Sequence, residues 1–457
     1  MSFNSYGFIF VFLPIVLAGY FRITKSTFSS LWLLMSSLIF YGMLSVDHLP
    51  VLIISVCVNY FVSRKIESGH AKRLWLITGT SFNFIMLGFF KFTETLPPGI
   101  SFFTFTQTAY LVCVFKGSAN TESFLKYSEY AAFFPYVISG PVSDYRDIMP
   151  QLKDESKRRI NYDNLASGIT LFILGLFKKV YIADGPAPVV NNLFADSYAL
   201  NFFEAWFAAL GYSMQLYFDF SGYSDMAVAI ALMFSIKLPL NFDSPYKSLS
   251  IIDFWRRWHM TLGKWIRDYI YIPLGGSREG QLKKIRNVII AMLFTGLWHG
   301  VGFSFILWGL LHGLMLAVNH QWRRLNVKIP ALLSWFITFM CIVSCWVVFR
   351  SDSVNDAINI LAAMFDVRNI VLPEKLIRYA GFLKAYGITF GNFLMNNTAK
   401  NFAFLLVIFV MSVLFPNTNQ IISRFKPRII YAVLIFIIAV MSMMKFSGIS
   451  DFLYFQF

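Results

Sequence analysis

Charged residues and cysteines are scarce in this sequence. Only 14% of its 457 residues are charged, against about 25% in soluble domains, so an ordinary soluble fold with polar helix faces is excluded. The four cysteines stand among apolar residues and are too few for a disulfide framework or a zinc site. We therefore expect the cysteines to be packing residues and no metal to be bound.

Familiar catalytic signatures and internal repeats are missing as well. The sequence has no GxSxG, HExxH, GxxxxGK[ST] or CxxC pattern, which argues against a covalent serine hydrolase and a zinc enzyme. Because there is neither a repeat nor a low-complexity linker, residues 1–457 are predicted to form one domain. The first apolar run has no basic segment before it and no small-residue cleavage site, so we expect a retained membrane span there.

The chain has long apolar runs instead. Hydrophobic residues make up 57% of the sequence, and runs such as 8–21 and 429–441 approach the ~20 residues that a helix needs to cross a bilayer. The sequence therefore predicts an all-α, polytopic membrane protein. The predicted spans lie near residues 6–21, 28–44, 49–63, 73–91, 99–115, 165–183, 202–218, 288–304, 304–319, 330–349, 402–416 and 429–445.

The net charge of +15 comes largely from basic residues in short connections between these runs. Short basic loops mark the cytoplasmic side of a membrane protein and attract anionic lipid headgroups. We interpret the charge as a topology signal and expect membrane lipids, not nucleic acid, as its partner. The basic connections are 22–25, 63–73, 153–159, 277–286, 321–328 and 423–428.

Two stretches, 219–287 and 128–164, interrupt the apolar pattern. Both mix aromatic, charged, proline and glycine residues, and irregular backbone at membrane depth survives only where protein buries it or where it lines a watery cavity. We therefore expect the functional site in 219–287 and a broken or re-entrant helix within 133–152. The short amphipathic stretch 353–363 is predicted to lie on the membrane interface.

His299 is the strongest candidate for chemistry among the six histidines. It follows Arg286 by thirteen residues, a rise of roughly 20 Å, which is past the middle of a ~30 Å hydrocarbon core. An ionisable side chain at that depth is a functional candidate by default, because a histidine can act as the general base that deprotonates a hydroxyl for attack on an acyl carbonyl. The alternative is a neutral histidine that is hydrogen-bonded between helices.

His312 and three glycines extend this candidate site. On a continuous helix His312 would not share a face with His299, but a break near 300–303 would bring both into one cavity. Without that break a structural role is expected for His312. Glycines 296, 300 and 302 leave room beside His299 for a close neighbour or a ligand.

The segment around His259 has two interpretations. Asp253 and Arg257 are spaced to pair across one helical turn, and Trp255 and Trp258 would share an aromatic side. The segment is either an interfacial helix with snorkelling arginines or the wall of a binding site whose aromatic face packs an adenine or a sugar. In the second case its cations would hold phosphates, and these are Arg256, Arg257 and Lys264.

Seven segments in order, and the terminus, resemble the membrane-bound O-acyltransferases, in the branch named for alginate O-acetyltransferase. Two of them carry the candidate histidines: "DFWRRWHMTLGKWIRDYIYIPLGGSR" (253–278) and "GLWHGVGFSFILWGLLHG" (296–313). The others are 99–112, 133–152, 175–184, 212–246, 346–358 and 452–457.

The resemblance implies a ring of about eleven or twelve transmembrane helices around a central tunnel, with re-entrant and interfacial helices. It makes His299 the family's essential histidine, which would activate the acyl acceptor, and His259 the upstream partner, which would orient or polarise the thioester carbonyl. Further support or donor binding is expected from Asp253, Trp255, Arg256, Arg257, Trp298 and His312.

The resemblance also implies the reaction: O-acetylation of an exported or cell-envelope polysaccharide at the bacterial inner membrane. Acetyl-CoA from the cytoplasm would be the acyl donor, as a substrate, and no cofactor is expected. A separate extracytoplasmic acetyltransferase of the serine–glycine–asparagine–histidine (SGNH) hydrolase type is an expected partner.

Two alternatives stay open. One is D-alanyl transfer to teichoic acid through a carrier protein, which belongs to the same superfamily. The other is a polysaccharide transporter or flippase, although transporters often show internal repeats and none is found. Residues 366–400 match no pattern that assigns them a role.

Overall fold

The computed structural model describes residues 1–23, 25–93, 95–396, 398–446 and 452–453. Residues 454–457 of the terminal segment used in the resemblance therefore lie outside the described part of the chain. The first helices form an antiparallel group in which α3, α4 and α5 pack against one another. These helices are α1 (Leu13–Arg22), α2 (Ser26–Leu44), α3 (Leu49–Glu67), α4 (Lys72–Lys91) and α5 (Ile100–Phe115).

The middle of the chain combines short, broken helices with the longest one. The helix predicted to be broken within 133–152 is confirmed, since the chain leaves helical structure after Val137 and resumes it at Tyr145. The elements are α6 (Phe124–Ala132), α7 (Phe134–Val137), α8 (Tyr145–Lys153), α9 (Tyr162–Phe177), α10 (Ala187–Ala195), α11 (Phe202–Met233), α12 (Ile251–Trp255) and α13 (Met260–Ile266).

The last third contains the helical hairpin α14–α15 and a small two-stranded parallel sheet. The amphipathic stretch 353–363 forms most of helix α17, and its place on the membrane interface stays a prediction. The elements are α14 (Gln281–His299), α15 (Phe303–Trp322), α16 (Ala331–Arg350), α17 (Val354–Phe365), β1 (Val371–Pro373), α18 (Ile377–Ala380), β2 (Thr389–Gly391), α19 (Thr398–Leu414), α20 (Thr418–Ser423) and α21 (Ile429–Met443).

Short π-helical and 3-10 turns join several of these helices. The π-helical turns are Phe8–Phe12, Lys178–Ala183 and Arg267–Tyr271, and the 3-10 turns are Glu155–Arg158, Pro245–Lys247, Val367–Asn369, Glu374–Leu376 and Gly381–Tyr386.

The all-α, polytopic membrane architecture predicted from the sequence is confirmed. Each of the twelve predicted spans coincides with a helix. Within the described residues, six helices are long and apolar enough to cross a membrane: Ser26–Leu44, Leu49–Glu67, Lys72–Lys91, Tyr162–Ala183, Phe303–Trp322 and Ala331–Arg350. The central tunnel and the assignment of 1–457 to a single domain stay predictions.

The prediction that the chain becomes irregular at residue 219 is wrong, because α11 continues to Met233. Its polar residues are tolerated in the buried helix because partners from a distant segment satisfy them. The Lys179 ammonium lies 2.6 Å from the Asp219 carboxylate, and the Lys178 ammonium lies 2.7 Å from that of Asp225. Irregular backbone begins only after this helix.

Two of the basic connections contact the ends of neighbouring helices. The Lys157 side chain donates a hydrogen bond to the Ser235 carbonyl at 3.0 Å, and Arg64 donates to the Thr121 hydroxyl at 2.8 Å. These contacts join the chain before α9 to the end of α11, and the end of α3 to the connection after α5. The distribution of basic loops predicts that these helix ends face the cytoplasm.

Helices α14 and α15 pack in close backbone contact through glycines. A Cβ atom built on Gly309 would lie 2.5 Å from the Met292 carbonyl oxygen and 3.3 Å from Gly296 Cα. Small residues permit this approach, which membrane helices use because lipid provides no hydrophobic drive for association. The glycines near His299 were predicted to leave room for a close neighbour or for a ligand. Gly296 makes room for the neighbouring helix α15.

Substituting Gly309 by alanine is expected to push α14 and α15 apart and to lower the free energy of unfolding by about 1–3 kcal/mol, as other overpacking substitutions do. Gly88→Ala is the matched control, since a Cβ there meets nothing within 4 Å. Thermal unfolding of the detergent-purified variants measures both effects. Equal melting temperatures for the two variants would contradict the close packing.

Candidate active site

The break between α14 and α15 brings His299 and His312 to one region of the core. His299 is the last residue of α14, and the chain turns through Gly300 before α15 begins at Phe303. The ring centroid of Trp308 lies 5.2 Å from that of His299 and 4.7 Å from that of His312. The predicted break therefore exists, and one tryptophan contacts both imidazoles.

His259 reaches the same region from the connection between α12 and α13. It is a buried non-glycine residue with a left-handed backbone, φ 42°, a conformation that costs about 1–3 kcal/mol and that clusters at functional sites. The Trp298 ring centroid lies 5.9 Å from that of His259 and 4.8 Å from that of His299. Trp298 therefore contacts both candidate catalytic histidines.

Aromatic rings from other helices complete the enclosure. The ring centroid of Phe220 in α11 lies 4.8 Å from that of His259, and the ring centroid of Phe102 in α5 lies 6.3 Å from it. Phe349 of α16 lies 5.2 Å from His299. The two histidines are thus held in an apolar environment, in which electrostatic interactions with a substrate are stronger than in water.

A hydrogen bond to Asn241 fixes the proton on His259. Asn241 Oδ1 lies 3.0 Å from His259 Nδ1 and accepts the Thr261 hydroxyl at 2.9 Å, while the Asn241 amide nitrogen donates to the Ser224 hydroxyl at 3.1 Å. The Thr261 oxygen in turn accepts the backbone N–H of Val142. A carbonyl oxygen can only accept, so His259 carries its proton on Nδ1 and its lone pair on Nε2.

In His312 the proton is on the other ring nitrogen, Nε2. The indole N–H of Trp255 donates to His312 Nδ1 at 3.2 Å. An indole nitrogen is a donor only, so Nδ1 is unprotonated and the neutral imidazole carries its proton on Nε2. His259 therefore has an acceptor at Nε2, whereas His312 has a donor there.

The two arginines predicted near His259 differ in whether they have an acidic partner and in exposure to solvent. Arg257 pairs with Asp253 at 2.9 Å, as the spacing predicts, although α12 already ends at Trp255. Arg256 is exposed. Arg257 is thus charge-compensated within the protein, so Arg256 is the better placed of the two for a phosphate, a role that stays a prediction.

Two residues that the sequence did not single out belong to this region. Asn241 orients His259, and the Lys91 ammonium donates a hydrogen bond to the backbone carbonyl of His299 at 3.2 Å. Lys91 was visible only as the last residue of a predicted span. The signal for Asn241 was its place in the segment 212–246, which carries part of the resemblance.

A cavity outside this region lies in the segment without a sequence assignment. It measures about 1130 Å³ and is lined by parts of 372–376 and 391–402 together with Phe203. None of the predicted site residues lines it.

Replacing Asn241 by leucine is expected to reduce the acyl-transfer rate by about tenfold, because His259 loses the partner that fixes its tautomer. Asn241→Asp keeps the acceptor oxygen and is expected to retain more of the rate. The initial rate in membrane vesicles, at matched protein levels, measures the effect. A leucine variant as active as the wild type would show that the hydrogen bond is not needed.

Comparison with known proteins agrees with the resemblance. A family model described as the membrane-bound O-acyltransferase family matches residues 17–351. A peptidoglycan O-acetyltransferase of Helicobacter pylori is 41% identical over 81% of this chain and 81% of its own length. A probable alginate O-acetylase, AlgI, of Pseudomonas aeruginosa is 37% identical over 82% of this chain and 76% of its own.

A more distant relative covers less of the chain. A teichoic acid D-alanyltransferase of Bacillus subtilis is 30% identical over 50% of this chain and 60% of its own length. The family match ends at Ser351, before the unassigned segment 366–400. Its extent and the identity of the relatives show that this protein belongs to the membrane-bound O-acyltransferase family.

Proposed function

We propose that this protein is a bacterial inner-membrane O-acetyltransferase that serves the O-acetylation of a cell-envelope or exported polysaccharide. The observation that carries the proposal is that the buried side chains of His259 and His299 both contact Trp298. The family to which the chain belongs consists of acyltransferases. Buried imidazoles suit proton transfer in acyl exchange.

In the proposed reaction a hydroxyl oxygen attacks the carbonyl carbon of an acyl thioester. His299 takes the hydroxyl proton as the C–O bond forms, and the tetrahedral intermediate then expels the thiolate, which recovers a proton. The net result is an ester and a free thiol. His259 presents a lone pair at Nε2, so it is a second proton acceptor in the site.

The proposed donor is acetyl-CoA, which would approach from the face that carries the basic connections. Arg256 is an exposed cation in the segment that leads to His259 and is proposed to contact a donor phosphate, since guanidinium groups match phosphate geometry. The hydroxyl would arrive from the opposite face, from the polysaccharide itself or from an SGNH-type acetyltransferase. The second source would make that enzyme an acyl carrier between the membrane and the polymer.

Acetyl transfer is favoured over D-alanyl transfer by the relatives. The relatives named for O-acetylation match this chain over about four fifths of its length, whereas the one named for D-alanylation matches half of it. D-alanyl transfer is the alternative that the experiment must separate.

The test is deletion of the gene in its native host, with complementation by the wild type. We expect acetyl esters released from the envelope polysaccharide by mild alkali to disappear on deletion and to return on complementation, with the amount of exported polymer unchanged. Loss of ester-linked D-alanine in place of acetate would establish the alternative.

A fall in exported polymer, with acetylation of its internal precursor preserved, would instead indicate a transporter. Unchanged acetyl content after deletion would refute the proposed function.

A further inference from the structure

The mechanism above has proton acceptors but lacks a donor for the carbonyl oxygen. That oxygen gains negative charge when the hydroxyl attacks, and acyl-transfer sites stabilise it with preorganised hydrogen-bond donors. His259 cannot donate from Nε2 in the tautomer that Asn241 fixes. A donor must therefore come from other residues beside His299.

Two such N–H groups lie next to His299. The indole nitrogen of Trp308 and Nε2 of His312 are fully buried, and within the described residues neither has a hydrogen-bond partner. Nε2 of His312 carries a proton because Nδ1 accepts from Trp255. Buried donors without partners are rare in folded proteins, and each one calls for an explanation.

The arrangement of these two donors separates them from ordinary packing residues. Trp308 and His312 are four residues apart on α15, so they lie on the same helical face. Their ring centroids are 4.7 Å apart, and that of Trp308 is 5.2 Å from His299. Trp308 therefore contacts the proposed base His299 directly, and His312 contacts Trp308.

Two other tryptophans in this protein donate their indole N–H groups to backbone carbonyls. Trp265 donates to the Phe105 carbonyl at 3.0 Å, and Trp335 donates to the Tyr246 carbonyl at 2.9 Å. The fold thus provides backbone acceptors to these two indole nitrogens, although not, in the described part of the chain, to that of Trp346. It provides none to Trp308 among the described residues.

We propose that the Trp308 indole N–H and the His312 Nε2–H form the oxyanion site for the acyl thioester. As the hydroxyl oxygen bonds to the carbonyl carbon, the carbonyl π electrons move to oxygen, and this oxygen accepts both hydrogen bonds. When the C–S bond breaks, the electrons return to form the ester carbonyl and the thiolate leaves. Trp255 is a positioning residue, because its N–H keeps the proton of His312 on Nε2.

This inference rests on the proposed acyl transfer, and the experiment separates the two. The initial rate of thiol release from acetyl-CoA is measured in membrane vesicles that contain the wild-type protein and any native partner. His299→Ala tests the proposed function. Trp308→Phe tests the inference, because it removes the N–H and keeps an aromatic ring.

We expect Trp308→Phe to reduce the rate about 10²-fold, the usual effect of losing one oxyanion donor, with no decrease in melting temperature. His312→Met is expected to have a similar effect on the rate, and His312→Gln, which restores an N–H near the position of Nε2, to recover most of it. Trp335→Phe is the matched control. It removes a satisfied N–H and is expected to lower the melting temperature while it leaves the rate within about threefold.

A Trp308→Phe variant with the wild-type rate would overturn the inference, and so would one whose rate and melting temperature fall together, since that result indicates a structural N–H. If His299→Ala keeps the wild-type rate, the proposed function fails. If only His299→Ala is inactive, and Trp308→Phe and His312→Met are both active, the proposed function stands and the oxyanion site does not.

Discussion

Replacing His299 by alanine is expected to lower the acetyl-transfer rate by about 10³-fold, within the range that removal of a general base produces. The imidazole is buried against Trp298, Trp308 and Phe349, so bulk water has little access to take over its proton-transfer role. The aromatic neighbours pack against each other as well as against His299, so the fold should survive the change. The variant should therefore reach the membrane in normal amount and fail in chemistry.

The rate is measured as thiol release in vesicles, and the acetyl content of the polysaccharide in complemented deletion cells gives the same comparison in the cell. His70→Ala is the control, because His70 is exposed in a basic connection and should leave both readouts unchanged. Normal acetylation by His299→Ala at a normal protein level would remove His299 from the mechanism.

The helices were predictable because their signal is local. A span needs only a continuous apolar run, and each of the twelve predicted runs coincides with a helix. The predicted secondary structure was wrong where polar residues of a helix have their stabilising partners at a distant point in the chain. The polar residues of 219–233 suggested irregular structure because Asp219 and Asp225 find their partners some forty residues earlier, in the π-helical turn Lys178–Ala183.

The sequence predicted which residues form the candidate site, but not which nitrogen of each histidine carries the proton. Depth and resemblance singled out His299 and His259, and the glycines near 300 suggested the break that brings in His312. Which nitrogen carries each proton was not predictable. It depends on Asn241 and Trp255, and the importance of these contacts emerges only from the fold.

The roles of the donor and acceptor histidines follow from those contacts. The resemblance suggested that His259 polarises the thioester carbonyl, which requires a donor. In the structure its Nε2 is the acceptor side, while His312, for which a structural or supporting role was expected, presents a buried N–H. The roles proposed for the three histidines thus depend on two hydrogen bonds, at Nδ1 of His259 and at Nδ1 of His312.

Away from the histidines, a buried ion pair joins the π-helical turn Lys178–Ala183 to α11. The Lys178 ammonium lies 2.7 Å from the Asp225 carboxylate and 3.0 Å from the Thr418 hydroxyl, which itself donates to Asp225 at 2.6 Å. Side-chain exposure is 11% for Lys178 and 8% for Asp225, so water cannot replace a lost partner. A lysine charge within a membrane-spanning helix is expensive unless it is paired.

Asp225→Ala is therefore expected to lower the free energy of unfolding by about 3–5 kcal/mol, the usual cost of leaving one member of a buried pair uncompensated. The double variant Lys178→Met/Asp225→Leu should recover most of that loss, because removing both charges leaves nothing to solvate. Glu279→Ala, which breaks an exposed pair with Lys283, is the control and should change nothing measurable. Melting temperatures in detergent and steady-state protein levels test all three. A double variant as unstable as Asp225→Ala would mean that the lost hydrogen bond from Thr418 to Asp225, not the charge on Lys178, accounts for the loss.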